Sequence, residues 1–192
     1  ELFPQDHPAP GYMQVSPLVY TGAATTKKSP SYLNPNKKTI FASMGSTGDW
    51  QNISFLNNRF FEKYNVVASG DENRILHAPH IFHRPFVNID ELFPYTDLVI
   101  CHGGNGTLYQ ALLYQIPLLC RSSHCEQEWN ISALEKNHLC KSLDDVSDPG
   151  LYISITEEWV NKKGAQIFKT FGEKVRGSIF RLPDLTKQVA DR

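Results

Sequence analysis

The stretch that most constrains this chain runs from Asp97 to Thr107 and reads DLVICHGGNGT. Leu98-Val99-Ile100-Cys101 has the length and composition of a strand buried on both faces. The pattern breaks at His102-Gly103-Gly104-Asn105-Gly106-Thr107 and resumes as TLYQALLYQ, with Leu108, Ala111 and Leu112 on one helical face and Thr107 and Gln110 towards the other. The unit is therefore strand, glycine-rich turn, helix. Glycines let backbone approach a ligand closely, and the first turn of a helix carries unsatisfied N–H groups and partial positive charge. A phosphate is the expected occupant. Gly104, Asn105, Gly106 and Thr107 are its candidate contacts through backbone N–H groups and the Thr107 hydroxyl. That hydroxyl can equally serve as a simple helix cap.

Two common phosphate sites are excluded. A GxGxxG fingerprint would need glycine at position 109, where Tyr109 stands, and GxxxxGK[ST] occurs nowhere. The 192 residues carry 19 basic and 20 acidic side chains, which argues against a nucleic acid or membrane surface held by bulk charge. No apolar run approaches the length of a membrane span, and no signal-like segment opens the chain. Cys101, Cys120 and Cys140 lie in apolar strand-like runs, and Cys120 and Cys125 are too far apart for a CxxC pair. They read as reduced thiols of a cytoplasmic protein. Three glycosylation sequons, at Asn52, Asn105 and Asn130, are read as chance in that setting.

Residues 1–37 are rich in Pro, Gly, Ser, Thr and Lys and read as an interdomain linker or remnant of a preceding domain, with a short strand between Gln14 and Tyr20. From residue 38 to 192 strand and helix signals alternate. Strands are expected at Thr39–Ser43, Asn65–Ser69, His80–His83, Leu98–Cys101, Leu118–Cys120 and, weakly, Leu139–Leu143. Helices are expected at Trp50–Tyr64, Ile89–Tyr95, from Thr107, at Gln127–Asn137 and over Ile153–Val175 with a break near Gly164, plus a terminal turn at Leu185–Ala190. The alternation predicts an α/β, Rossmann-like, doubly wound parallel sheet of about six strands. Ligands of such sheets lie beyond the carboxyl ends of the strands, where strand order switches. Both glycine turns, Gly45–Gly48 and Gly103–Gly106, follow strands and are expected to share one crevice. His77, His80 and His83 are not read as a metal site: Pro79 forbids a regular helix through them, and strand alternation parts His80 from His83.

The run HGGNGTLYQALLYQIPLLCRSSHCEQEWN resembles the donor-site signature of GT-B glycosyltransferases of the UDP-glycosyltransferase type. There an HxGxxT/S-like turn precedes a helix, then G-x-P, a strand, an acidic residue with Gln, and an Asn. The resemblance covers roughly Val19 to Leu143. It implies the C-terminal, donor-binding half of a GT-B fold, acting in transfer of sugar from a nucleotide sugar to an acceptor, with inversion and without a bound metal or other cofactor. His102 would contact the diphosphate, and a hydrogen bond from its imidazole strengthens as the leaving group gains charge. Gly45 and Ser46 would border the diphosphate, and Phe86 and Val87 the base. Gln110 stands where the family usually has Glu on the ribose; it keeps an acceptor oxygen but lacks the charge. Glu126 and Gln127, with Asn130, would meet sugar hydroxyls, while Arg121 and His124 line the same loop. The general base would lie in a missing N-terminal, acceptor-binding domain. Two rival readings remain at this stage: a non-catalytic nucleotide-sugar-binding subunit of a two-chain transferase, and half of a UDP-sugar epimerase.

Overall fold

Six short strands, apolar and buried at the centre and more polar at the two edges, pair side by side in the computed structural model, which describes residues 28–70 and 75–178. They are β1 (Thr39–Ser43), β2 (Asn65–Ser69), β3 (Ile81–Arg84), β4 (Leu98–Cys101), β5 (Leu118–Cys120) and β6 (Cys140–Ser142). All neighbours are parallel and the order is β3-β2-β1-β4-β5-β6. This is the expected doubly wound α/β sheet. The chain winds outward one way through β2 and β3, returns to the centre, and winds the other way through β5 and β6. The reversal falls between β1 and β4, whose register sets Ser43 opposite Cys101.

The central strands are buried along their length because helices cover both faces. Four strands have the bounds expected from the sequence, while β3 is shifted by one residue and β6 is shorter than expected. The stretch Trp50–Tyr64 differs more. It forms two 3-10 helices, Trp50–Asn57 and Arg59–Lys63, parted at Asn58, whose extended backbone and side-chain bond to the Phe60 N–H (2.9 Å) start the second. Ile53 and Leu56, three residues apart, are both fully buried, a spacing that a three-residue turn satisfies directly. Asn57 is occupied elsewhere. Its amide donates to the Ile75 carbonyl at 2.6 Å and accepts from the His77 and Ala78 N–H groups at 2.9 and 3.1 Å.

After β3, Asn88 caps helix α1 (Ile89–Leu92), which continues as a 3-10 turn through Tyr95. Helix α2 (Asn105–Leu113) follows β4, and α3 (Cys125–Lys136) follows β5; each starts two residues before the expected position. Both end in the same way. Gln115 and His138 take left-handed backbone (φ 60° and 58°), and the three N–H groups after each helix bond back to carbonyls near its end. Gln115 occupies the place of the glycine in the resembling G-x-P pattern. Helices α4 (Pro149–Trp159) and α5 (Gln166–Ser178) part at Gly164 (φ 86°), as the sequence indicates. Gly172 lets α5 lie close on α2, since a Cβ there would meet the Leu112 carbonyl at 2.9 Å.

Within the stretch read as linker, Leu33 joins the core and Tyr32 stacks on Phe82, ring centroids 4.0 Å apart. The readings made for Gln14–Tyr20, Val19–Gly22 and Leu185–Ala190 lie outside the described residues. Cys101, Cys120 and Cys140 are buried free thiols, with Cys101 Sγ 3.8 Å from Cys120 Sγ; Cys125 is exposed. No helix among the described residues is long and apolar enough to cross a membrane.

His138 is exposed, so its left-handed backbone is a cost that no side-chain packing offsets. Glycine there removes ~1–2 kcal/mol of strain and adds ~0.5–1 kcal/mol of backbone entropy cost. His138→Gly is expected to raise stability by about 0.5–1 kcal/mol, read as a higher urea midpoint at unchanged slope.

Candidate functional site

The β1–β4 register brings two turns together. β1 ends in Met44-Gly45-Ser46-Thr47-Gly48 and β4 in His102-Gly103-Gly104, so both emerge side by side at the carboxyl edge of the sheet. The His102 imidazole fills the space between them. A Cβ on Gly45 would lie 2.7 Å from its Cε1, and one on Gly104 would lie 2.6 Å from its Nε2. Glycine is required at Gly45 twice over, since its φ is 57°. At Gly104 the backbone is ordinary, with φ −72° and ψ 140°, and the neighbouring ring alone excludes a side chain.

His102 Nδ1 is buried and has no partner in hydrogen-bond geometry. Burial lowers the pKa of the imidazole; the Ser43 backbone pulls it up without being aligned for a bond, His124 lowers it and Glu126 raises it. The ring is therefore neutral at pH 7. The stability linked to it is fully present above the ordinary value of 6.5 and is lost as pH falls through the lowered one.

Gly104 is the N-cap of α2 and supplies no side-chain cap. The first-turn N–H groups thus have no side-chain oxygen from the cap residue, and they open on a cleft of about 390 Å³. Thr107 is the third helical residue, not the cap. Gly45, Ser46, His102, Gly104, Asn105, Gly106, Thr107, Glu126 and Gln127 all line this cleft, joined by Thr47 and His124. Thr47 was visible only as part of its turn, because nothing in a lone threonine marks it for a site.

The far wall is the loop before α3 and its first turn. Glu126 Oε1 accepts from Asn105 Nδ2 at 3.1 Å and Asn130 Nδ2 at 3.4 Å, and Asn130 also donates to the Gly103 carbonyl at 3.1 Å. Asn130 thus ties α3 to the glycine turn. Gln127 is 1% exposed although it borders the cleft. Its Oε1 accepts from the Ser123 N–H at 2.8 Å, and its Nε2 lies 2.8 Å from His124 Nε2 and 3.4 Å from Thr47 Oγ1.

Five of the singled-out residues stand outside this lining: Phe86, Val87, Gln110, Arg121 and Asn130. Phe86 and Val87 follow β3, two strands from β1 on the same sheet edge; Phe86 is 82% exposed and Val87 is buried. Gln110 sits one turn beyond Thr107 on α2. Arg121 turns away to bond the Tyr152 hydroxyl. The three central histidines scatter: His77 Nδ1 lies 3.0 Å from the Ile75 carbonyl, His80 Nε2 meets the Leu56 carbonyl at 2.8 Å, and His83 packs edge-on to Trp50. Among the described residues no group of three His, Cys, Asp or Glu is placed to hold a metal ion.

No family model matches the chain. A sterol 3-beta-glucosyltransferase from Pichia angusta is 26% identical over 110 residues, 57% of this chain and 9% of that one. Among solved structures, the spinosyn rhamnosyltransferase SpnG superposes with a TM-score of 0.74 at 18% identity, covering 96% of this chain and 54% of that one. The glycosyltransferase SnogD from Streptomyces nogalater gives 0.71 at 19% identity, covering 100% and 53%. SpnG complexed with thymidine diphosphate gives 0.71 at 18% identity. The chain has the fold of a GT-B glycosyltransferase domain and spans about half the length of these solved structures.

Gly104→Ala isolates the role of the ring cradle. The variant is expected to keep its far-ultraviolet circular dichroism while the His102 imidazole resonances move in NMR spectra. Gly106→Ala, whose Cβ would meet nothing within 4 Å, is the matched control and is expected to leave those resonances in place.

Proposed function

We propose that this chain is the donor-binding, C-terminal domain of a glycosyltransferase that takes a sugar from a nucleotide sugar, UDP-linked in the resembling family, and delivers it with inversion to an acceptor held by a preceding domain. The observation that carries the reading is the meeting, at the strand-order switch, of the His102 ring with the N-terminus of α2 in one cleft. Such a helix end favours a diphosphate, and a hydrogen bond donated by the neutral imidazole lying against it strengthens as negative charge develops on the leaving group. In this reading His102 and the helix, not a metal, meet that charge. Glu126 faces the sugar, Gln110 the ribose, and Phe86 and Val87 the base.

Residues 38–192 form the donor domain and residues 1–37 the approach to it. The free thiols fit a cytoplasmic setting. The likeness to a structure complexed with thymidine diphosphate supports a nucleoside diphosphate as the ligand class.

His102→Ala is expected to weaken UDP by ~1–3 kcal/mol, the range for losing a bond to a charged group in a partly buried site. Titration calorimetry with UDP, and with TDP in parallel, measures this. Equal affinity of wild type and variant would sink the diphosphate assignment.

The single domain provides one wall of the reaction cleft. Loss of acceptor positioning and of the general base together removes ~10 kcal/mol of barrier lowering. Radiolabelled UDP-sugar with lipid, phenolic and saccharide acceptors is therefore expected to give no transfer product with this chain alone, and acceptor-dependent product once the preceding domain is added. Ordinary turnover by the lone chain would overturn the two-domain reading.

A further inference from the structure

The residue pair Glu126-Gln127 is where the sequence resemblance places sugar contacts, yet the structure spends the Gln127 amide inside the protein. The Ser123 backbone N–H can only donate, so the Gln127 atom that it meets at 2.8 Å is the carbonyl oxygen. The other end of the amide is then the NH₂ group. It points at His124 Nε2, 2.8 Å away, and at Thr47 Oγ1, 3.4 Å away. An NH₂ group cannot accept, so His124 Nε2 must be the bare, accepting nitrogen and the ring proton must sit on Nδ1. One backbone N–H thus fixes the amide, and the amide fixes the tautomer.

The support beneath His124 is equally defined. Its carbonyl accepts from the Gln127 and Glu128 N–H groups at 3.1 and 3.2 Å, which starts α3. The loop before it is pinned by the Arg121 N–H on the Cys101 carbonyl at 3.0 Å and by Ser122 on the Asp144 carboxylate at 2.7 and 3.0 Å. His124 itself is exposed and lines the cleft opposite the glycine turn. Gln127, at 1% exposure, is the buried positioning residue and His124 is the side chain presented to the ligand.

We infer that His124, held as its Nδ1–H tautomer by buried Gln127, reads the transferred sugar as a hydrogen-bond donor and, together with the acceptor Glu126, selects a hydroxylated hexose. This rests on the nucleotide-sugar reading above and adds what that reading lacks: which group donates to the sugar. A hydroxyl both accepts from an N–H and donates to a carboxylate, so neighbouring hydroxyls on one ring match the His124–Glu126 pair. A ring stripped of hydroxyls leaves both without a partner.

The test compares two affinities in each variant by titration calorimetry: UDP alone, and the tightest-binding of UDP-glucose, UDP-galactose and UDP-N-acetylglucosamine. Their ratio isolates the sugar. His124→Ala is expected to lower that ratio roughly three- to tenfold, the effect of one neutral hydrogen bond. His124→Asn, which keeps an N–H near the Nδ1 position, is expected to restore most of it. Long-range ¹H–¹⁵N spectra of the wild type are expected to show His124 protonated at Nδ1. Gln127→Glu replaces the donor by an acceptor, so its spectra are expected to show a proton on Nε2 and its ratio to fall with His124→Ala.

A ratio unmoved by His124→Ala, equal losses in the Ala and Asn variants, or a wild-type Nε2–H tautomer would each overturn the inference while leaving nucleotide binding in place. A wild type that binds neither UDP nor any UDP-sugar overturns the nucleotide-sugar reading itself, and the inference with it.

Discussion

Pairing of β1 with β4 is the contact on which the rest of the molecule depends. Strands that follow one another usually lie side by side, but here the first strand is flanked by the second and the fourth. That arrangement forces the chain to cross back over the sheet, and it leaves two loops diverging from one point at the carboxyl edge. The Ser43–Cys101 register then decides which residues meet there. A slip of one residue would turn the side chains of β4 over and carry His102 away from Gly45. Four buried apolar residues on β4 make that slip expensive, so the same side chains that hold the sheet together also aim the imidazole.

Around that point the cleft is built more from backbone than from side chains. Gly45 and Gly104 shape a slot for one ring, Gly103 has left-handed backbone against Ile131 on α3, and α2 begins without a side-chain cap. Side chains dominate only on the opposite wall, where Glu126 and Asn130 reach across to Asn105 and Gly103 and Gln127 joins the loop before α3 to the turn after β1. The two walls have different physical characters. One offers N–H groups at fixed positions, and the other offers an adjustable set of donors and acceptors.

The sheet was legible because its strands are apolar runs bounded by turn residues, and β1, β2, β4 and β5 needed no knowledge of their neighbours. Trp50–Tyr64 was misleading because its apolar residues also fit a continuous helix; what divides it is Asn58, whose side chain satisfies a backbone N–H and starts a second turn. The starts of α2 and α3 came two residues earlier than the sequence indicated, since their cap residues, Gly104 and His124, make no side-chain cap bond to mark the start. Most of the candidate site was legible through the spacing of HGGNGT, Glu126 and Gln127. The orientation of Gln127 was not. Whether an amide faces a ligand or its own protein depends on which backbone N–H lies beneath it, and sequence spacing carries no such information.

The distribution of thiols has a practical consequence. Cys101, Cys120 and Cys140 are sealed within three adjacent strands, whereas Cys125 opens α3 between His124 and Glu126 and is exposed. A maleimide or a fluorinated alkylating tag meets one accessible sulfur in the native fold, at the rim of the cleft. The chain thus carries its own attachment point for a spectroscopic reporter, next to the candidate site and without engineering.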